Sequence, residues 1–193
     1  KGVIWQIIPT AQIADITHEI KPQNVMEGAI ALWRAAPFFP EGTVHIGVVD
    51  PGVGTGRRLM AARIGEHYFV GPDNGLFTPL IESAKKAGKS MTFVQLDQPQ
   101  YWLPAVSHTF HGRDVFAPVG AHLAAGVSLE SMGKPFTDPV LLSMLKPQKT
   151  ANGFTAHITV ADVFGNLTTD LPASEIIDKD ITINFKGREI NSI

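Results

Sequence analysis

Short apolar runs separated by glycine and proline follow one another through the first three quarters of the chain. Residues 44–49 are apolar except for His45, and such a short, β-branched run is typical of a buried strand. Residues 25–36 repeat apolar positions with the helical period, and Pro37 and Pro40 end that pattern. The same reasoning predicts strands over 68–70 and 92–96 and helices near 76–87 and over 115–125. Alternating strands and helices indicate an α/β layered fold.

The last predicted helix carries capping residues at both ends. Asp114 precedes it and can accept hydrogen bonds from the first free backbone N–H groups. Gly126 stands just after it, where a glycine that ends a helix is common.

The pattern changes after about residue 150. Residues 154–160 and 181–185 alternate apolar and polar side chains, which predicts antiparallel strands without a helix between them. The preceding stretch predicts a linker because it is rich in proline, at Pro135, Pro139 and Pro147. We therefore predict an N-terminal α/β domain over 1–148, followed by a smaller, barrel-like antiparallel β domain that begins over 149–193.

Composition and charge exclude several classes of protein. The 193 residues include 16 Lys and Arg against 18 Asp and Glu, so the formal net charge is −2, whereas a nucleic-acid-binding protein has a basic excess. The absence of cysteine excludes disulfides, thiolate nucleophiles and Cys-based zinc sites, and it favours a reducing, cytoplasmic location. Apolar stretches stop well short of the ~18 residues that cross a bilayer, so we predict no membrane segment.

The strongest local motif is the segment 50–58, Asp-Pro-Gly-Val-Gly-Thr-Gly-Arg-Arg, directly after the predicted strand 44–49. In open α/β sheets, ligands bind beyond the carboxyl ends of strands, and Asp50 occupies such an end. The glycine spacing is not that of a dinucleotide-binding motif, and no Gly-Lys-Ser/Thr follows as in a P-loop. The alternative is a tight turn followed by a solvated pair, Arg57 and Arg58.

A second motif, His-Thr-Phe-His-Gly-Arg-Asp over 108–114, places His111 just before a predicted helix. The positive end of a helix favours a neutral imidazole or a bound anion. His108 and His111 could form half of a metal site, but the sequence offers no third ligand at a recognisable spacing. We therefore predict no metal, and an ordinary loop histidine remains the alternative.

Two further segments contain candidate ligand-binding residues. The segment 71–75, which includes Asp73 and Asn74, follows a strand and is most simply a turn. The segment 162–166 interrupts the β region, where the glycine beside Phe164 indicates a bulge or a flat ligand stacked on the aromatic ring.

Taken in order, these motifs resemble the adenosine-forming S-adenosyl-L-methionine (SAM) hydrolases, which are homologous to the fluorinating and chlorinating SAM enzymes. The blocks that carry the resemblance are Asp-Ile-Thr-His-Glu-Ile (15–20), Glu-Gly-Ala (27–29), Phe-Pro-Glu-Gly-Thr-Val (39–44), Asp-Pro-Gly-Val-Gly-Thr (50–55), Gly-Pro-Asp-Asn-Gly-Leu (71–76), Phe-His-Gly-Arg-Asp (110–114) and Phe-Gly-Asn (164–166). Seven blocks in the family's order are far more specific than any one of them.

The resemblance implies hydrolysis of SAM to adenosine and L-methionine. The family's Asp-Arg-His triad around the attacking water corresponds to Asp50, Arg57 and His111. The halogenating relatives have Tyr at the position of Asp50, Thr at that of Arg57 and Tyr at that of His111. The chain has the hydrolase version at all three positions, so the resemblance favours a hydrolase over a SAM-dependent halogenase.

The resemblance also implies a homotrimer whose sites lie between one subunit's N-terminal domain and its neighbour's C-terminal domain. Phe164 and Asn166 would then meet the adenine, and Asp162 the methionine ammonium group. Asp73 and Asn74 are further expected substrate-binding residues. SAM is the small-molecule partner, and the resemblance implies no cofactor.

The resemblance is incomplete at both ends of the chain. The family begins with a strand that ends in Thr-Asp-Phe-Gly, and its β domain continues further than residue 193. We therefore expect the ribose-binding Asp and part of the amino-acid pocket to lie outside this sequence. This departure keeps a second function open, a non-catalytic module that binds SAM or adenosine.

Overall fold

The computed structural model describes residues 1–162 and 164–190. The chain divides into two compact units, Lys1–Leu142 and Ser143–Ile193. Each unit has its own strands, and the first contains the larger sheet.

The first unit is built on a five-stranded mixed sheet. Its strands are β1 (Val44–Ile46), β2 (Leu59–Ile64), β3 (His67–Pro72), β4 (Met91–Leu96) and β5 (Gly133–Phe136). They lie in the order β1-β3-β2-β4-β5. β1 and β3 are parallel, and the other neighbours are antiparallel. The parallel pair matters for function, since the segment 50–58 follows β1.

Four α-helices accompany this sheet: α1 (Gly2–Ile7), α2 (Val25–Ala35), α3 (Thr78–Lys86) and α4 (Ala117–Ala124). α2 begins with a reciprocal cap, because the Asn24 side chain accepts from the Glu27 N–H and donates to the Glu27 carboxylate. Shorter 3₁₀ turns cover Ala36–Phe38, Pro99–Tyr101 and Leu129–Met132, and a π-helical turn covers Gly112–Phe116.

Two clusters of buried side chains surround the sheet. Alternate residues of β2 point to opposite faces, so Met60 and Ala62 join one cluster while Ala61 joins the other. The first cluster contains side chains of α2 and α3, and the second contains those of α4. This arrangement, with helices on both faces of the sheet, confirms the predicted α/β layers.

Most of the predicted elements of the first unit are present. The predicted helix 25–36 corresponds to α2, and the predicted strands 68–70 and 92–96 are the centres of β3 and β4. The predicted strand 44–49 ends earlier, at Ile46, although the Gly47 N–H still donates to the Val70 carbonyl. Gly126 has φ +92 directly after the last helix, which confirms its role at that helix end.

Two local predictions were wrong, and one strand was missed. Pro135 belongs to β5 rather than a linker, because a proline is tolerated on an edge strand that needs no N–H there. Asp114 lies inside the π-helical turn and does not cap a helix. β2 was not predicted, since Ala61 and Ala62 have low strand propensity and Arg63 interrupts the run.

The described residues of the second unit form three antiparallel hairpins, so antiparallel strands were predicted correctly, but the single predicted strand over 154–160 is interrupted at residues 156–157. They pair β6 (Gln148–Thr150) with β7 (Gly153–Thr155), β8 (Ile158–Ala161) with β9 (Leu167–Thr169), and β10 (Ile183–Phe185) with β11 (Arg188–Ile190). Within 143–162 and 164–190 these pairs form three separate two-stranded sheets, so the predicted barrel-like closure is absent from the described residues.

A buried histidine, His45, makes the stability of the first unit depend on pH. His45 stacks on Phe69 and lies 3.4 Å from His67 between ring nitrogens. Burial, together with the charge of His67, lowers the pKa of His45 from 6.5 to about 4. The unfolded chain therefore binds more protons between these values, and the free energy of unfolding falls by about 2 kcal/mol as pH decreases from 6.5 towards 4.

We expect His45→Phe to remove most of this pH dependence, because it keeps the ring and deletes the titrating group. Urea unfolding at pH 7.5 and pH 4.5 measures the effect as the difference between the two midpoints. His18→Gln, at an exposed histidine, serves as the control and should keep the parent's difference. An unchanged difference in His45→Phe would refute this explanation.

Candidate active site

The segment 50–58 forms a compact loop at the carboxyl end of β1. The Thr55 hydroxyl donates to the Gly52 carbonyl at 2.7 Å, and the Thr55 N–H donates to the same carbonyl at 3.1 Å. Gly54 has φ +79, and a Cβ there would lie 2.7 Å from the His108 carbonyl oxygen. Glycine at this position therefore permits both the turn and the close approach of the loop that leads to His111.

Asp50, Arg57 and His111 are joined in one chain of hydrogen bonds. Arg57 Nε donates to Asp50 Oδ1 at 2.7 Å and Oδ2 at 2.8 Å, and Arg57 Nη2 also donates to Oδ2. The same Nη2 lies 3.0 Å from His111 Nδ1. The Asp50 and Arg57 side chains are only 5% and 9% exposed, so this ion pair is well shielded from water.

The hydrogen bond from Arg57 fixes the protonation of His111. A guanidinium carries only donors, so His111 Nδ1 must be the acceptor in this contact. The imidazole is therefore neutral in this arrangement, with its proton on Nε2. As a result, Nδ1 is occupied and Nε2–H is the free donor of the ring.

A buried carboxylate organises the loop that carries His111. Asp114 is fully buried; its Oδ2 accepts from the Ser107 N–H at 2.8 Å and its Oδ1 from Arg113 Nε at 2.5 Å. The hydrogen bond from Arg113 lowers the pKa of Asp114 to about 2, and the Ser107 bond acts in the same direction. The Phe110 N–H in turn donates to the Ser107 hydroxyl, so Asp114 supports the turn that ends at His111.

A cavity of about 500 Å³ opens beside Asp50. Its wall includes Asp50, Pro51 and Val53 from the loop, and Thr17, Lys21 and Gln23 from the segment that precedes α2. The volume lies within the range typical of small-molecule sites. Asp50, the acidic member of the ion pair, thus lies at the edge of a space large enough for a ligand.

Asp73 and Asn74, predicted to bind substrate, are bonded to protein groups. The buried Asp73 carboxylate accepts from Arg58 Nε at 2.7 Å. Asn74 Nδ2 donates to the Val49 carbonyl at 2.8 Å. Both residues are thus tied to the chain on either side of the loop 50–57.

The other predicted substrate-binding residues share one loop of the second unit, between β8 and β9. Asp162 Oδ1 accepts from the N–H groups of Phe164 and Asn166, and Oδ2 accepts from Asn166 Nδ2 at 2.7 Å. These bonds close a tight turn in which Phe164 is 88% exposed. Val163 of this motif lies outside the described residues.

The described part of the chain shows neither a metal-binding cluster nor a membrane-spanning helix. No group of three His, Asp or Glu side chains there is arranged to hold a metal ion. No helix among the same residues is long and apolar enough to cross a membrane.

Comparison with known families identifies the lineage. Residues 1–133 match the model of the SAM hydroxide adenosyltransferase N-terminal domain. The chain belongs to the SAM hydroxide adenosyltransferase family. The match covers strands β1 to β4 and all three residues of the hydrogen-bonded chain, so the resemblance stated from the sequence is confirmed.

Individual relatives agree with this assignment. The chain is 42% identical over 168 residues to a protein of Salinispora arenicola named (R)-S-adenosyl-L-methionine hydrolase, and 29% identical over 201 residues to a fluorinase of Actinopolyspora mzabensis. These matches cover 86% and 89% of the chain. The crystal structure of an uncharacterized conserved protein from Thermotoga maritima superposes with a TM-score of 0.90 at 36% identity, and it covers 98% of this chain and 73% of that one.

The chain is shorter than these family members. It spans 63% of the Salinispora hydrolase and 65% of the Actinopolyspora fluorinase.

The sequence analysis assigned no role to the segment 16–23, although this segment lines the cavity beside Asp50. The segment has neither the helical nor the strand period, and it forms no regular element. One available signal was its block Asp-Ile-Thr-His-Glu-Ile, which is part of the resemblance.

Proposed function

We propose that the protein hydrolyses SAM to adenosine and L-methionine. The observation that carries the proposal is the chain of hydrogen bonds through Asp50, Arg57 and His111, whose first member, Asp50, lines the cavity. The family membership and the name of the Salinispora relative support the same reaction. The reaction uses SAM as its substrate and needs no cofactor.

The bond that breaks joins the ribose C5′ to a sulfonium sulfur. Methionine leaves as a neutral thioether, so the leaving group needs no general acid. The demanding step is the activation of water, which must be oriented and lose a proton as it attacks C5′. Arg57 remains protonated and therefore stabilises the developing hydroxide by its charge. Its shielding from solvent strengthens that interaction.

We infer that Asp50 accepts the proton from water. The single lone pair of His111 Nδ1 is occupied by Arg57, whereas the Asp50 carboxylate keeps acceptor capacity on Oδ1 beyond its bond to Arg57 Nε. His111 then orients the water, with Nε2–H as its donor. Asp50 is thus the general base, and His111 is the group that orients the water.

A halide is a poor alternative nucleophile for this site. The Asp50 carboxylate balances the Arg57 guanidinium, and the neutral His111 adds no charge. No net positive charge is left to hold a buried anion, which loses much of its hydration when it enters a protein. The arrangement therefore favours water over chloride or fluoride.

The second unit is proposed to contribute to ligand recognition. The exposed ring of Phe164 can stack on the adenine, and Asn166 and Asp162 offer polar groups for the purine and the methionine ammonium. Assembly as a homotrimer and a cytoplasmic location remain predictions.

The direct test is to incubate the purified chain with SAM in the presence of chloride and to separate the products by chromatography. We expect adenosine and L-methionine in equal amounts and no 5′-chloro-5′-deoxyadenosine. S-Adenosyl-L-homocysteine is the matched control; it lacks the sulfonium and should stay intact. A chlorinated nucleoside would indicate a halogenase, and binding of SAM without products would favour the non-catalytic module.

A further inference from the structure

The loop 50–57 is entered at Val49 and left at Arg58, and both flanking residues contact the same turn. The bonds inside the loop, such as Thr55 Oγ1 to the Gly52 carbonyl, give it shape but do not attach it to the sheet. The position of Asp50 relative to Arg57 therefore depends on how the two ends of the loop are fixed.

Asn74 fixes the entry of the loop. Its Nδ2 donates to the Val49 carbonyl at 2.8 Å, one residue before Asp50. Its Oδ1 accepts from the Leu76 N–H at 3.2 Å. Both ends of the amide are thus engaged by the backbone, and the donor end is the one that reaches the loop.

Asp73 fixes the exit of the loop. Its N–H donates to the Arg58 carbonyl at 3.0 Å, and its Oδ2 accepts from Arg58 Nε at 2.7 Å. The other oxygen, Oδ1, accepts from the Val140 N–H at 2.8 Å. The Asp73 side chain is 1% exposed, so water has little access to its carboxylate and competes weakly for these hydrogen bonds.

The turn that contains both residues is itself fixed. Gly75 has φ +91, and a Cβ there would lie 2.5 Å from Leu142 Cγ. The Thr78 hydroxyl donates to the Gly75 carbonyl at 2.7 Å and accepts from the Leu142 N–H at 2.9 Å. A rigid turn can act as a spacer between the two chain segments bonded to it.

We propose that Asp73 and Asn74 are positioning residues, which set the separation of Asp50 and Arg57 through the two ends of the loop 50–57. They act through Val49 and Arg58 and do not touch the substrate. This inference rests on the proposed SAM hydrolysis and replaces the predicted substrate-binding role of the two residues.

The test uses Asn74→Asp, which keeps the acceptor for Leu76 and replaces the donor to Val49 by an oxygen. Asn74→Ala removes the same bond without adding charge, and it replaces Asn74→Asp in the test if the aspartate variant folds poorly. Asn152→Asp makes the same chemical change in the exposed turn between β6 and β7. Ile81→Val lowers stability in the core cluster of α3 without touching the loop.

We expect kcat for SAM to fall 10- to 100-fold in Asn74→Asp and Asn74→Ala, because displacing a catalytic group by about 1 Å can cost ~10²-fold. KM should stay within about threefold of the parent, since no substrate contact is lost. Both controls should keep the parent's kcat. A rise in KM with kcat retained would overturn the proposal in favour of a substrate contact, and unchanged kinetics would overturn it as well.

A second measurement separates this inference from the proposed function. Nitrogen chemical shifts of the His111 imidazole report whether Nδ1 accepts from Arg57, and they need no turnover. We expect the Nδ1 signal of the Asn74 variants to move away from that of the parent, while the two controls keep it. If the parent protein does not hydrolyse SAM, the proposed function is wrong, and the Nδ1 chemical shift then tests the positioning role by itself. A changed Nδ1 shift in the Asn74 variants supports that role, and an unchanged shift overturns it.

Discussion

Replacing Asp50 with asparagine is expected to lower kcat for SAM by about 10³-fold, the middle of the range for loss of a general base, or about 4 kcal/mol of transition-state stabilisation. The amide keeps the size of the carboxylate and can still accept from Arg57, but it cannot take a proton from water. Binding of SAM should change little. Initial rates with saturating SAM, together with calorimetric titration of the ligand, measure both quantities.

The matched control for this variant is Glu66→Gln. Glu66 also pairs with an arginine, Arg63, at 3.1 Å, but on the exposed turn between β2 and β3. It should keep the parent's kcat. The assignment of Asp50 as the proton acceptor would be wrong if Asp50→Asn remained active while His111→Asn lost activity.

Replacing Asp114 with alanine is expected to lower the free energy of unfolding by about 3 kcal/mol. The substitution leaves the half-buried Ser107 N–H without its acceptor and removes the partner of Arg113. Asp138→Ala is the control, because Asp138 is 79% exposed and such an exposed ion pair with Arg58 adds little to stability. Urea unfolding at pH 7 measures both variants, and equal midpoints for Asp114→Ala and the parent would refute this role.

Asp114 also makes the free energy of unfolding decrease at acidic pH. The pKa of Asp114 in the folded protein is about 2, below the usual 3.8, so the folded state binds fewer protons between these values. The stabilisation is complete above about pH 4 and is lost as the pH falls towards 2. It amounts to about 1–2 kcal/mol, since Arg113 is 55% exposed and partly screened by solvent.

The sequence predicted those elements whose periodicity is clear. α2, β3 and β4 have long apolar patterns and flanking turn residues, so their types were predicted correctly. β2 was missed because its inward positions are filled by small alanines, which become strand residues only through pairing with β3 and β4 on both sides. β5 was missed because proline indicates a break unless the strand is known to lie at the edge of a sheet.

The site was predicted through the resemblance rather than through local pattern. Arg57 and His111 are separated by 54 positions, and the fold brings Nη2 of one within 3.0 Å of Nδ1 of the other. Spacing along the chain contains no information about such a contact. The hydrogen-bond partners of Asp73 and Asn74 could not be predicted either. A polar turn after a strand has the same sequence pattern whether its side chains bind a ligand or a neighbouring loop.

The π-helical turn Gly112–Phe116 makes the direction of His111 depend on chain length. A π turn holds one residue more than an α turn, and each residue of an α-helix advances the chain by about 100° around the axis. Deleting one residue from this turn would restore regular α geometry and swing the imidazole away from Arg57, even with every side chain of the triad retained. Family members that keep His, Arg and Asp but differ by one residue between His111 and α4 would therefore have lost the geometry of the site while preserving its composition.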